Sequence, residues 1–562
     1  MRIRIPVRVS VCAPNHHFFL SLLLVFGLLT FPAQRLWGVN CSVVKHGAPS
    51  DAEKALMAGD YAKAEELFRA AVSAHPEDTD ALVGLVRTLL LEQKVLDADE
   101  AVHAAQGSVD ATKATAQTGA RAATLLTLKG EVLLREGKPW EVEKTVLDSY
   151  KLDSCNPLTR LLFAKFAEVN SRYATARQQI DLAHQFDPED PQIRAAWIHT
   201  LPLPQRTTEM GSFLAAPNGE DPNSLLQMKA ELERWKKQDA EPSRVCRLTS
   251  AEMSAEIPFI KLLGYAGHTR ASGLEMTVNS TQARLQLGAG QGGLTVYRPV
   301  AERAGLKRLS EIETAASPGG KPTYTAYADS IKLGNLEFHN CTVNVIDASS
   351  PFDDGDGNLD IDVFSDFLLT VDYPMRKLSL APLPVRPSQA SAEKPSLHTD
   401  RNADAEIANP QATDRYIAPE MKDYTQIYRA GKSLILPAVL TGEKAKDPAS
   451  APIKLFILDL GTPETNVSFG VAFDVSKVHE QNSAYGSGKI KVADEITYNF
   501  AHMAQKVNGV VTTDTSMVSK ENGMEISGFF GANTFQLLIM HVDYRDGLLK
   551  FEYIPNRGYK FE

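Results

Sequence analysis

Apolar residues recur every three or four positions from about residue 51 to 199, on an Ala-, Leu- and Glu-rich background, which predicts a run of amphipathic helices. The stretch GDYAKAEELFRAAVSAHPED at 59–78 reads as the second helix of a helix-turn-helix unit. A first helix over 81–92 and a second carrying Ala98, Val102 and Ala105 make the next unit. A third carries Gly130, Gly137 and Val146, and a fourth carries Phe166, Tyr173, Ala176, Ile180, Ala183 and Pro188. Small residues let paired helices approach, large ones fill between them, and a period near 34 residues is that of a stacked array. From 207 to 250 the periodicity weakens to one polar helix-like stretch, SLLQMKAELERWKKQ, so residues 201–254 read as a helical connector. Beyond 255 the texture changes to short alternating β-branched and apolar runs broken by Gly, Asn and Asp, such as GLEMTVNSTQARLQL and FLLTVDYPMRKLSLAPL.

The β region repeats itself. Val371-Asp372-Tyr373 recurs as Val542-Asp543-Tyr544, a displacement of 171 residues. The same displacement carries Val296 onto Val467, Ala301 onto Ala472, Gly357 onto Gly528, Phe364 onto Phe535 and Leu378 onto Leu549. One constant offset over such widely spaced matches indicates one fold duplicated, at 255–385 and 419–562. The Pro-, Ser-, Ala- and Asp-rich stretch 386–418 between them reads as a linker. Asp372 and Asp543, recurring with the duplication, read as turn or strand-end residues.

Two resemblances sharpen this parse. Gly59-Asp60-Tyr61, Ala64, Phe68, Ala71 and Pro76 resemble the second helix of a tetratricopeptide repeat, which implies an array over 50–200 that binds peptides or partner proteins on a concave face. The second β half, with KLFILDLGTPETNVSFGVAFDV and SGFFGANTFQLLIMHVDYRDGLLKFEY, resembles the bacterial retropepsin-like aspartyl proteases. Their hallmark is an apolar strand into Asp-Thr/Ser-Gly-Ala, later an apolar-apolar-Gly, then a strand ending near Asp-Tyr. Here these are Leu458-Asp459-Leu460-Gly461 and Phe529-Phe530-Gly531, and the resemblance covers roughly 255–385 and 425–555. It implies a multidomain α plus all-β chain: a helical solenoid followed by two retropepsin-like β-barrels arranged as a pseudo-dimer. It also implies a catalytic Asp459, an active-site loop of Leu460, Gly461 and Thr462, and support from Phe530 and Gly531. In such a site two aspartates, one per half, share a proton, because close carboxylates resist double ionisation. The ionised one activates water and the protonated one donates to the substrate carbonyl.

The first half departs from that pattern. Displacement by 171 maps Asp459 onto Gly288, Leu460 onto Ala289, Gly461 onto Gly290 and Gly531 onto Asp360. Aspartate is absent where the dyad needs it, and the hydroxyl residues that brace the two loops are missing from both halves. The expectation is therefore an aspartyl-protease-family protein with impaired catalysis. The alternatives are a non-catalytic peptide-binding scaffold, and an endopeptidase active only as a homodimer that brings two copies of Asp459 together.

The chain start supplies an address. Arg2, Arg4 and Arg8 precede the apolar run FFLSLLLVFGLLTF at 18–31, too short for a comfortable span of ~20 residues, so residues 1–38 read as a secretory signal peptide. An uncleaved anchor, or a lipoprotein modified at Cys41, is the alternative reading. No later stretch is apolar enough to span, so the expectation is an exported protein of the periplasm or cell envelope. The signal contains Cys12; Cys41, Cys155, Cys246 and Cys341 follow it, enough for two disulfides in an oxidising compartment with three possible pairings. The net charge of −10 and 43% hydrophobic content give no sign of a nucleic-acid partner or a polytopic membrane protein.

The remaining candidates carry less. PFDDGDGNLDIDVF groups Asp353, Asp354, Asp356, Asp360 and Asp362, but lacks the EF-hand Gly and Glu positions, and reads as an acidic loop. Gly486-Ser487-Gly488-Lys489 and Gly319-Gly320-Lys321 lack phosphate-loop spacing; the second reads as a flap over the cleft. No zinc spacing or nucleophile elbow occurs, and the expectation is no metal and no cofactor.

Overall fold

The computed structural model describes residues 41–107, 116–216, 218–240, 245–264, 269–288, 292–309, 314–315, 322–347, 354–389, 391, 394–399, 405–409, 411–482 and 488–554. The signal at 1–38, Ala289, Gly290, Asp353 and the flap glycines at 319–320 lie outside them.

The helical pairs fall where the 3.6 period puts them: Asp51–Met57 with Tyr61–Ala74, Thr79–Leu91 with Val95–Gly107, Ala116–Arg135 with Pro139–Leu152, and Pro157–Val169 with Tyr173–Phe186. Ser50 and Glu53 form a capping box, and Asp60, Asp78 and Asn156 accept backbone N–H groups at later starts. Small residues act as expected at two crossings. A Cβ on Gly84 would lie 2.3 Å from the Phe68 ring, and one on Gly130 2.5 Å from Leu162 Cδ2. The helical layer does not end at 200. Pro191–Thr200, Leu203–Leu214 and Pro222–Ala240 close over Ile198, Met210, Phe213 and Trp235, so the stretch read as a connector packs into one core with the helix before it.

Both β regions close into six-stranded barrels. The first runs in the ring Thr269–Val278, Thr281–Leu287, Gly357–Leu359, Leu294–Tyr297, Leu336–Ile346 and Pro322–Leu333, whose last strand pairs back to the first. The second runs Ser433–Thr441, Ile453–Leu458, Gly528–Phe530, Asn466–Ser468, Met503–Thr513 and Lys489–Phe500, and closes the same way. A six-stranded antiparallel sheet spans the two. At its centre Phe367–Asp372 pairs with Leu538–Asp543, with Thr370 opposite His541. These two residues are 171 apart, so the pseudo-two-fold axis passes between them. The turn expectation for the duplicated aspartates holds: Asp372 Oδ1 accepts from Met375 N–H at 3.0 Å, and Asp543 Oδ1 from Asp546 N–H at 3.0 Å.

The second barrel is docked on the helices. Leu455, Ile457, Met524 and Ile526 share a core with Leu133, Leu134, Val146, Leu162 and Phe166, while Phe456 and Leu458, pointing the other way, fill the barrel. A strand buried on both faces needs apolar residues at every position, and the run LFIL at 455–458 supplies them. The segment read as a linker is a laced strap. Arg386 pairs with buried Asp546, Ser396 and His398 bond to Asp366, Ile407 packs against Ala164, Ala167 and Ile180, and Asp414 accepts from Thr175. The cysteines pair as Cys41–Cys155 and Cys246–Cys341.

Candidate functional site

The site lies where the two barrels meet. In the second barrel the parallel pairing of Ile453–Leu458 with Gly528–Phe530 sets Leu458 beside Phe530, so the next residues, Asp459 and Gly531, emerge side by side. Asp459 N–H donates to Phe530 O at 3.0 Å. The first barrel repeats this: Leu287 lies beside Leu359, and Gly288 N–H donates to Leu359 O at 2.7 Å. Gly288 thus occupies the place related to Asp459, and Asp360 the place related to Gly531.

The two loops touch. A Cβ on Gly461 would lie 1.9 Å from both Gly288 O and Leu287 O, so only glycine fits there. Gly288 itself has φ +61° and would bring a Cβ to 3.2 Å from Leu460 N. Leu460 is fully buried in the core that the two barrels share.

Asp459 is 6% exposed. Its Oδ1 accepts from Gly461 N–H at 3.0 Å and Thr462 N–H at 3.1 Å, and its Oδ2 accepts from the Thr462 hydroxyl. Burial raises its pKa against those three bonds. Phe530 is fully buried among Phe456, Tyr498 and Phe500 and holds the strand end below the loop. Gly531 N–H donates to Thr465 Oγ1 at 3.0 Å, and a Cβ there would strike Glu464 O at 2.4 Å.

Asp360 is 9% exposed. Its Oδ2 accepts from Gly292 N–H at 3.0 Å and its Oδ1 from Ile361 N–H at 2.8 Å. Burial, then the negative charge of Asp362, push its pKa up to about 7 against those two bonds, with Asp459 contributing in the same direction. Asp362 accepts from Gly293 N–H at 2.9 Å and pairs with Lys432 Nζ at 3.1 Å, an ion pair from one barrel to the other. The other described acids of that segment are structural: Asp354 pairs with Arg284 at 2.6 Å, and Asp356 accepts from Arg284 N–H at 2.9 Å.

Lys432 and the glycine pair 292–293 escaped the reading of the chain. The displacement by 171 signals the glycines, since it sets Gly292-Gly293 against Pro463-Glu464. Nothing local marks Lys432, whose carboxylate partner lies 70 residues earlier. No helix among the described residues is long and apolar enough to cross a membrane.

Residues 55–126 match the family model of the tetratricopeptide repeat. No curated protein matches the chain. Among solved structures the chain is similar to an aspartic proteinase from Irpex lacteus at 9% identity, over 54% of this chain and 98% of that one, with a TM-score of 0.34. It is also similar to a thermophilic TPR protein from Thermus thermophilus at 16% identity, over 33% of this chain and 95% of that one, with a TM-score of 0.24.

Proposed function

We propose that this chain is an exported, retropepsin-like member of the aspartyl protease family, with a tetratricopeptide module, that takes an extended peptide into the cleft between its barrels. The symmetric carboxylate pair is broken, so cleavage by the usual route is impaired. The observation that carries this reading is the contact of the Asp459 loop with Gly288 at the barrel seam. Close carboxylates normally divide the acid and base roles, and a glycine can do neither. The two long-range disulfides favour an oxidising compartment and thereby the exported, envelope assignment. The homodimer alternative is disfavoured on steric grounds, because the place a second copy of Asp459 would need is filled by Gly288 of the same chain. The helical module is partly engaged with its own second barrel, and units 51–107 touch the later helical layer through Arg87–Asp190 and Tyr61–Gly219, so a protein partner would meet the faces these contacts leave.

The test is peptide binding and cleavage by the mature chain, with a statine-type peptide as competitor, from pH 3 to 7. The expected result is competed binding with turnover depressed by orders of magnitude relative to a two-aspartate enzyme. Absence of both peptide and statine binding refutes the reading.

A further inference from the structure

In the second barrel, Asp ends the motif strand and Gly ends its parallel neighbour; in the first barrel the two have changed places, with Gly288 ending the motif strand and Asp360 the neighbour. The surrounding loop has changed to suit. A Cβ on Gly531 would collide with Pro463 O and Glu464 O, whereas the related positions beside Asp360 are Gly292 and Gly293, both with left-handed φ, +72° and +75°. Those glycines turn their N–H groups toward the acids, Gly292 to Asp360 and Gly293 to Asp362. A lost aspartate requires none of this. Adjacent strands lie ~5 Å apart, so the exchange moves the carboxyl group sideways by about one strand spacing while keeping it at the end of the same sheet, beside the same seam.

We propose that Asp360 is the second catalytic carboxyl group of this cleft, an acid offset by one strand from the usual position and paired with Asp459 as base. The inference rests on the peptide-cleft reading above. The assignment of roles follows from the partners. Asp459 is supplied with three hydrogen-bond donors, which favour its ionised form. Asp360 has two, and the charges facing it are Asp362 on its own segment and Asp459 from the second barrel, while Lys432 is engaged by Asp362. In the hydrolytic step, the Asp459 carboxylate takes a proton from water as the water oxygen bonds to the peptide carbonyl carbon. The carbonyl π pair moves onto its oxygen, which takes the proton of Asp360 and gives a gem-diol. Asp459 then protonates the amide nitrogen as the C–N bond breaks, and Asp360 recovers a proton from a gem-diol hydroxyl. The products are a carboxylic acid and an amine, and both side chains return to their starting states.

The experiment is single-turnover cleavage of a bound fluorogenic peptide by the full mature chain, Asp360→Asn and Asp459→Asn, across pH 3 to 9, with statine-peptide affinity measured alongside. The expected result is slow wild-type cleavage that falls as pH rises through about 7, where Asp360 loses its proton. Both variants are expected to cleave ~100-fold more slowly or worse, with statine affinity held within ~3-fold for Asp360→Asn. Asp360→Glu should recover part of the rate. Wild-type cleavage without a descending limb near neutrality overturns the proposal even if no variant folds. So does Asp360→Asn cleavage at the wild-type rate, or peptide binding with no wild-type cleavage at all. Each of these leaves the cleft reading standing; loss of all peptide and statine binding by wild type overturns both.

Discussion

Gly461→Ala tests the seam on which the functional argument stands. The added methyl would sit 1.9 Å from the carbonyl oxygens of both Gly288 and Leu287, and real Cβ atoms do not approach under 3.0 Å. These oxygens are backbone at a strand end, so no side-chain rotation relieves the clash; the two barrels must part by about 1 Å or the loop must turn away. Overpacking of one methyl costs ~1–3 kcal/mol. Turning the loop also breaks the Gly461 N–H bond to buried Asp459, and a hydrogen bond to a charged group contributes ~1.5–3 kcal/mol. The expected loss is therefore ~2.5–6 kcal/mol. Urea unfolding gives the total. Hydrogen exchange of peptides covering 281–288 and 453–461 locates it, with faster exchange in both barrels and none added in 51–107. A variant with an unchanged urea midpoint and unchanged protection at both strand ends would refute the contact and with it the pairing of Asp459 with Gly288.

Lys432→Met should strand Asp362 as an unpaired buried charge and cost ~3–5 kcal/mol by urea unfolding; Lys432→Met combined with Asp362→Leu should recover most of it, and failure to recover would refute the pair. Replacing Cys246 and Cys341 together by Ser opens a bridge of 95-residue separation and should lower stability by ~4–5 kcal/mol on the chain-entropy estimate, read as a lower midpoint equal to that of the reduced wild type at the same bond. For pH, a carboxyl whose folded pKa lies above its unfolded value binds more protons when folded, so its contribution is full below about pH 4 and is lost as pH rises through about 7. Asp360 and Asp543 both behave so, and Asp360→Asn should flatten the decline in stability between pH 4 and 7 by up to ~4 kcal/mol; an unaltered slope would refute its buried, protonated state.

Much of the architecture was legible because it is written in local periods. The 3.6 repeat located the helix pairs, and the alternation after 255 located strands whose faces are set by residue parity. The displacement of 171 residues is a copy relation that needs no contact to be seen, and it brought Gly288 opposite Asp459 and Asp360 opposite Gly531 before any fold was known. What it could not show is the surroundings of Asp360: the residue reads as a departure from glycine, and only the fold places it in a loop where Gly292 N–H bonds to it and Gly293 N–H to Asp362.

The residues of the chain, taken in order, dictated which segments are helix or strand, that the β fold is duplicated, and that Gly288 stands at the place related to Asp459. They left open the pairing of four cysteines, the reach of Lys432 to Asp362, the lacing of the 386–418 strap, and the burial of Leu455 and Ile457 under Leu162 and Phe166. Each of these joins residues far apart in the chain, and no local preference encodes a distant partner. They arise only once closed barrels and stacked helices bring those surfaces within ångströms and make burial of both together cheaper than hydration of each apart.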